Sequence, residues 1–111
     1  MPKNFQTNSG SALVRPPLTA TQIVANLAKL EGWKLNGDGA SLAIEKTFNF
    51  ADYYRTLSFV NAVAFLANAH DHHPDLSVHI NRCVVRFSSH DAGGISMADF
   101  DCAARVEALL A

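Results

Sequence analysis

Apolar residues recur along the chain with two different periods, and each change of period marks the boundary of a predicted element. A helical spacing begins after Thr19, which is a predicted N-cap because Gln22 follows at capping-box distance. Gly32 is the predicted end of this first helix, since glycine tolerates the left-handed conformation at a helix C-terminus. The apolar stripe of the helix comprises Ile23, Val24, Leu27 and Leu30.

Strict alternation replaces the helical spacing over residues 41–50 and predicts a strand with one covered face and one solvated face. Lys46 is the exception on the covered side of this strand. A shorter strand at 33–35 precedes it, and the turn at 36–39 is built from residues that accept positive φ. The two runs therefore predict a strand pair.

Residues 51–69 contain neither Gly nor Pro and predict a long second helix, with Asn49 or Asp52 as its N-cap. Its apolar residues form two stripes, one with Leu57, Val60, Ala64 and Ala67 and the other with Phe59, Val63 and Leu66. A helix that is apolar over much of its circumference must be covered on more than one side. We expect a subunit contact on this helix; the alternative is a crowded monomer core.

Two β-prone runs at 76–80 and 83–89 flank Asn81-Arg82, which is the predicted turn of a tight hairpin. Ser96 then predicts the start of a last helix, with Asp99 at its N3 position. The order α-β-β-α-β-β-α predicts an α+β domain: a four-stranded antiparallel sheet with three helices on one face. We assign this domain to residues 18–111 and expect residues 1–17 to form a flexible arm.

Composition restricts the functional classes. The chain has 111 residues, 49% of them hydrophobic, and a formal net charge of −1, which is typical of a soluble domain and unlike a nucleic-acid binder. Cys83 and Cys102 lie in apolar runs without metal-ligand spacing, which favours reduced core thiols in a cytoplasmic protein. The sequence shows no signal-peptide pattern and no apolar run long enough to span a membrane.

Candidate chemistry is concentrated in one segment that holds most of the histidines, namely His70, His72, His73 and His79. Imidazole exchanges protons near neutral pH, so such a cluster indicates a site. Pro74 biases His73 toward an extended conformation, and the rings of His72 and His73 should diverge. Because a hairpin returns its second strand to the start of its first, we expect His90 near Pro74, with Asp99 available to orient one imidazole.

Other interpretations stay open at this point. Solvated side chains are the expectation for His70 and His79. A metal site could use His70, Asp71, His72 and His73, although structural zinc usually draws on spaced Cys and His pairs. Nucleophilic catalysis is disfavoured because neither cysteine has a setting that would activate a thiolate.

The segment Asp71-His72-His73-Pro74, followed by His90 and Asp99, resembles the motif of the pterin-4a-carbinolamine dehydratase family. Mammalian members of that family double as dimerisation cofactors of a homeodomain transcription factor. The resemblance covers residues 18–110 and includes Gly32-Trp33 and the Gly-Ile-Ser turn before the last helix. Two positions depart from the family: Ile80 stands where an aromatic residue is common, and Asn68 stands where Glu is common.

The resemblance implies a lyase that dehydrates 4a-hydroxytetrahydropterin to quinonoid dihydropterin and recycles the cofactor of aromatic amino acid hydroxylases. It implies no metal and no separate cofactor. His72, His73 and His90 would form the catalytic site, with His72 and His90 as the acid/base pair and His73 against the pterin. Asp99 would orient His90, and the further substrate-binding positions would be Asp71, Pro74 and Ser89.

The partners expected from this assignment are a pterin substrate and further copies of the chain. A homodimer or homotetramer would form through the helix at 51–69 and the sheet edge, and an aromatic amino acid hydroxylase or a regulator is a further candidate partner. We expect no direct contact with nucleic acid or membrane. The alternative function is a dehydratase-like binding module, inactive or weakly active, that stabilises a protein partner.

Overall fold

The computed structural model describes residues 16–89 and 92–111. In these residues, three α-helices and four β-strands follow one another in the predicted order. The elements are α1 (Ala20–Leu27), β1 (Lys34–Asn36), β2 (Ala43–Asn49), α2 (Tyr53–Ala69), β3 (Asp75–Val78), β4 (Arg82–Phe87) and α3 (Met97–Ala108). Apart from Pro16 and Pro17, the arm predicted at residues 1–17 lies outside the described residues.

The four strands form one antiparallel sheet in the order β1-β2-β4-β3. Its register pairs Ile44 with Phe87 and Phe48 with Cys83, so alternate residues of both strands share a buried face. Residues from all three helices pack with this face in a single core, namely Ile23 from α1, Phe59 and Val63 from α2, and Phe100, Ala103 and Val106 from α3. The predicted α+β architecture, with its helices on one face, is confirmed.

Lys46 interrupts the apolar side of β2 because it has specific partners there. Its Nζ lies 2.8 Å from Glu107 Oε2 on α3 and donates to the carbonyl oxygen of Glu31 at 3.1 Å. The same Glu107 oxygen accepts the indole N–H of Trp33 at 2.8 Å. This half-buried cluster joins the sheet to α3 with its charges paired, so a lysine is tolerated at a core-facing position.

The first helix is shorter than predicted. The Thr19–Gln22 capping box is confirmed, but α1 ends at Leu27, well before Gly32. The backbone then tightens, since the amides of Lys29 and Leu30 bond to carbonyl oxygens three residues earlier, as is common at a helix C-terminus. Assigning Val24 to the apolar stripe was also wrong, because its side chain is 67% exposed.

The second helix is capped by Asp52, one of the two predicted residues, whose side chain accepts the amide of Arg55 at 2.8 Å. Phe59 and Val63, from one of the two predicted stripes, are buried against the sheet. Tyr54 and Phe65 on the same helix are each 80% exposed. Within the described residues, no helix is both long enough and apolar enough to cross a membrane.

The hairpin turn lies one residue earlier than predicted. Val78 pairs with Cys83, and the amide of His79 donates to the carbonyl oxygen of Arg82 at 2.9 Å, which leaves Ile80-Asn81 at the tip. The prediction of Asn81-Arg82 was wrong because register follows the core-facing side chains of the strands. The amide of Phe50 also donates to the carbonyl oxygen of Asn81 at 2.8 Å and ties the turn to the end of β2.

Candidate functional site

The end of α2 sets the direction of the two adjacent histidines. Asp71 has a φ of 50°, in the left-handed region that non-glycine residues rarely occupy. The amide of His72 donates to the carbonyl oxygen of Ala67 at 3.1 Å, and the amide of Asp71 donates to that of Asn68 at 3.4 Å. These bonds form a Schellman motif, which stops the helix and turns the chain toward Pro74 and β3.

His72 points into the protein and has a defined orientation. Its side chain is held by a contact of 2.6 Å between Nε2 and Oδ1 of Asp99, on α3. The imidazole also stacks on the ring of Phe87, with centroids 5.8 Å apart and an angle of 8° between the planes. His72 as a whole is only 7% exposed, so its ring is positioned on one face by packing and at one nitrogen by a carboxylate.

Asp99 is fully buried and satisfies hydrogen bonds from several directions. Oδ2 accepts the backbone amide of Ser96 at 2.9 Å and the hydroxyl of Ser89 at 2.8 Å. Asp99 is also at N3 of α3, where the positive end of the helix dipole favours a carboxylate. Oδ2 therefore accepts two hydrogen bonds, which fix the orientation of the carboxyl group.

The carboxylate also favours one tautomer of His72. With Oδ1 of Asp99 at 2.6 Å from Nε2, the favoured tautomer carries its hydrogen on Nε2. The geometry supports an imidazole that can work as an acid or a base while its orientation stays fixed.

His73 has different surroundings, as the predicted divergence of the two rings requires. It is exposed, and its Nε2 lies 3.3 Å from Oδ1 of Asn68 on the last turn of α2. His73 lines an open cleft of about 510 Å³ between α2 and β3. The other lining residues are Ala64, Phe65, Ala67, Asn68, Pro74 and Leu76.

The predicted site residues occupy two neighbouring regions. His72, Ser89 and Asp99 share the buried network, whereas His73 and Pro74 line the cleft and Asp71 is exposed at the end of α2. His90 lies outside the described residues, so its predicted position near Pro74 and its predicted bond to Asp99 stay predictions. The imidazole that Asp99 contacts in the described part of the chain is that of His72.

Sequence reasoning missed the roles of two residues. Phe87, which stacks on His72, was recognised only as a strand residue. Its place on the core-facing side of β4 is the signal that could have suggested a contact with a buried histidine. Asn68 was noted only as a departure from the family, although it lies on the last turn of α2 and contacts His73. His70 and His79 are exposed.

Potential metal ligands and two cysteines are the other chemical candidates in the sequence. Across residues 16–89 and 92–111, no group of three or more His, Cys, Asp or Glu side chains could hold a metal ion. Cys83 and Cys102 are buried and do not form a disulfide. Burial raises the pKa of the Cys83 thiol above its ordinary value, which keeps it protonated and unreactive at neutral pH.

Comparison with known proteins identifies the family. A sequence model described as "Pterin 4 alpha carbinolamine dehydratase" matches residues 16–109. A protein of Paracidovorax citrulli, provisionally named pterin-4-alpha-carbinolamine dehydratase, is 65% identical over 101 residues, which cover 91% of this chain and 87% of the relative. A relative from Chromobacterium violaceum with the same provisional name is 50% identical over 84% of this chain and 82% of its own length.

Solved structures agree with the sequence comparison. A transcriptional coactivator/pterin dehydratase from Brucella melitensis superposes with a TM-score of 0.79 at 27% identity, covering 86% of this chain and 99% of that one. A pterin dehydratase-like protein described as a RuBisCO assembly factor of the alpha-carboxysome superposes with a TM-score of 0.60 at 26% identity, covering 71% of this chain and 89% of that one. The chain therefore belongs to the pterin-4a-carbinolamine dehydratase family.

Proposed function

We propose that this chain dehydrates 4a-hydroxytetrahydropterin to quinonoid dihydropterin by histidine acid/base catalysis. In the substrate, the lone pair on N5 forms the double bond to C4a as the bond from C4a to the hydroxyl oxygen breaks. Hydroxide is a poor leaving group, so an imidazolium must protonate that oxygen and release water. A base takes the proton from N5, and the reaction balances as the loss of one water molecule.

The observation that carries this proposal is the buried contact of 2.6 Å between His72 and Asp99 in a member of this family. A general acid or base needs a fixed ring and a defined tautomer. The contact with Asp99 supports both, since it holds the ring and favours a hydrogen on Nε2. We assign His72 and His90 as the acid/base pair. The support for His90 is its place in the sequence directly after Ser89, which bonds to the same carboxylate as His72.

The cleft beside His73 is the proposed binding surface for the pterin. Its walls are mostly apolar, with Phe65, Pro74 and Leu76, and they carry polar atoms at His73 and Asn68. A flat bicyclic ring with hydrogen-bonding edges suits such a surface, since small-molecule sites combine apolar walls with a few polar groups. His73 therefore binds substrate in this proposal, and His72 exchanges protons with it.

The test is a stopped-flow assay with 4a-hydroxytetrahydropterin and the purified chain. We expect breakdown to accelerate over the uncatalysed reaction in proportion to protein concentration, with no change after treatment with a metal chelator. Acid/base groups of this kind contribute about 10²–10⁴-fold. A rate equal to that of buffer alone would exclude the dehydratase function.

Recycling the pterin cofactor of an aromatic amino acid hydroxylase is the cellular role we propose. The second candidate function is a binding module that stabilises a protein partner. Exposed Tyr54 and Phe65 on α2 favour it, because large aromatic side chains on a surface mark interaction sites. Under this alternative, the chain would protect a hydroxylase against inactivation even with His72→Ala, whereas the dehydratase proposal requires that histidine.

A further inference from the structure

We propose that Ser89 is a positioning residue: its buried hydroxyl, together with the capping serine of α3, holds Asp99 against His72. This inference rests on the proposed function, in which His72 exchanges protons with the substrate. It gives Ser89 a role behind the reacting groups, and the resemblance to the family implies instead that Ser89 contacts substrate. The distinction can be tested because the two roles affect kcat and KM differently.

The direction of each hydrogen bond follows from counting donors. The Ser89 hydroxyl has one hydrogen, and it goes to Oδ2 of Asp99 at 2.8 Å, an oxygen that also accepts the amide of Ser96. The hydroxyls of Ser89 and Ser96 lie 2.7 Å apart, so the hydrogen between them comes from Ser96. The Ser96 oxygen in turn accepts the amide of Ala98 at 3.3 Å.

The result is a directed series of bonds from the first turn of α3 to the candidate catalytic ring. The amide of Ala98 donates to Ser96, Ser96 to Ser89, and Ser89 to Oδ2 of Asp99, while Oδ1 of Asp99 contacts Nε2 of His72. Ser89 and Ser96 are each 1% exposed, so water has little access to replace a missing hydroxyl. The capping box of α3 thus also supports His72.

In this hydrogen-bonded series, Ser89 is the residue that lies next to the sheet, just beyond β4. It lies two residues after the end of β4 and pairs with Gly94 through an isolated bridge. In this bridge the amide of Ser89 donates to the carbonyl oxygen of Gly94 at 2.9 Å. Its backbone is therefore fixed independently of its hydroxyl. Removing the hydroxyl should leave the chain path intact and loosen the hold on Asp99, because Oδ2 then keeps only the bond from the amide of Ser96.

The test compares Ser89→Ala with Ser88→Ala, a matched control one residue away with a half-buried side chain. We expect Ser89→Ala to lower kcat about tenfold with KM changed less than twofold, and Ser88→Ala to leave both constants unchanged. Ser89→Thr, which restores a hydroxyl, should recover most of kcat. An increase in KM at unchanged kcat in Ser89→Ala would overturn the proposal and make Ser89 a substrate contact.

A second readout does not depend on turnover. In ¹⁵N-labelled protein, the ring N–H of His72 should give a downfield, slowly exchanging proton signal at Nε2. We expect this signal to weaken or exchange faster in Ser89→Ala and to persist in Ser88→Ala and Ser89→Thr. An unaltered signal in Ser89→Ala would contradict the positioning role, and a wild-type protein that shows the signal without dehydratase activity would refute the proposed function alone.

Discussion

Among single residues, Asp99 connects the fold to the proposed chemistry. One of its oxygens accepts the amide of Ser96 in the capping box of α3, and the other contacts the ring of His72. Because both bonds come from a single buried carboxylate, the position of the ring depends on the start of the helix. A substitution that removes the charge of Asp99 should therefore lower activity strongly, even when it leaves the shape of the side chain almost unchanged.

Asp99→Asn tests this dependence. The amide oxygen can still accept the bond from Ser96, but an amide placed beside His72 no longer fixes the hydrogen on Nε2. We expect kcat to fall by about 10²-fold or more, since a mispositioned or wrong tautomer removes acid/base catalysis. Steady-state kinetics measure the effect, and ¹⁵N shifts of the ring report the tautomer; a wild-type rate with a folded protein would disprove the role of Asp99.

The alkaline limit of stability depends in part on Cys83. Burial raises the pKa of this thiol above its ordinary value of 9.0, so the folded state holds the proton more tightly than the unfolded state does. Its contribution to the free energy of unfolding is complete below pH 9 and is lost as the pH rises through the folded pKa.

We therefore expect a decline in the free energy of unfolding above about pH 9, and a shallower decline in Cys83→Ala. Urea unfolding between pH 7 and 10.5 measures both curves. Cys83→Ala will also be less stable at every pH, because it opens a small cavity in the core, so the slopes are compared and not the absolute values. Parallel curves for the two proteins would count against the titration of Cys83.

At the scale of elements, the two capping boxes allow a matched comparison. Thr19 and Ser96 each cap a helix with a side-chain acceptor, but Thr19 is exposed and Ser96 belongs to the buried network of Asp99. Replacing either residue by Ala should cost about 1 kcal/mol, which lowers Tm by several degrees. Only Ser96→Ala should also reduce kcat; an equal loss of kcat in Thr19→Ala would mean that stability alone explains the effect.

The local parts of the fold could be predicted from sequence, and the long-range parts could not. Both capping boxes and the end of α2 before Pro74 depend on residues a few positions apart, and they were predicted. The predicted end of α1 was several residues too late, and the predicted hairpin turn was one residue too late. Packing against the sheet decides these boundaries, and alternation alone does not contain that information.

The candidate site shows the same division. The cluster around His72 and the availability of Asp99 were visible in the sequence, but their pairing spans 27 residues, and spacing does not say which imidazole meets the carboxylate. Ser89 was implicated only through a family resemblance. Its buried hydroxyl acquires a physical role once the register of β4 and the first turn of α3 are known.

For the whole molecule, the exposed aromatic residues on α2 lead to a prediction about assembly. Tyr54 and Phe65 are each 80% exposed on a helix whose opposite side is buried in the core. We propose that copies of the chain cover the part of this surface around Tyr54 in a homodimer or homotetramer, while Phe65 lines the cleft proposed for the pterin. The sheet offers a second surface, since β1 and β3 are its edge strands.

Tyr54→Glu should convert the assembly to a smaller species, because a carboxylate is costly to bury in an apolar interface. Val24→Glu is the matched control, since Val24 is an exposed apolar residue on α1, outside this surface. Size-exclusion chromatography with light scattering gives the mass of each species. A monomeric wild type at micromolar concentration, or an unchanged mass for Tyr54→Glu, would rule out this interface.

In the proposed mechanism, the imidazole held by Asp99 takes part in the dehydration. The most direct test is the stopped-flow rate of 4a-hydroxytetrahydropterin breakdown for His72→Ala beside wild type, with the exposed His79→Ala as control. We expect His72→Ala to lose about 10²-fold or more of the catalysed rate while remaining folded, and His79→Ala to keep the wild-type rate. A folded His72→Ala protein with the wild-type rate would contradict this mechanism.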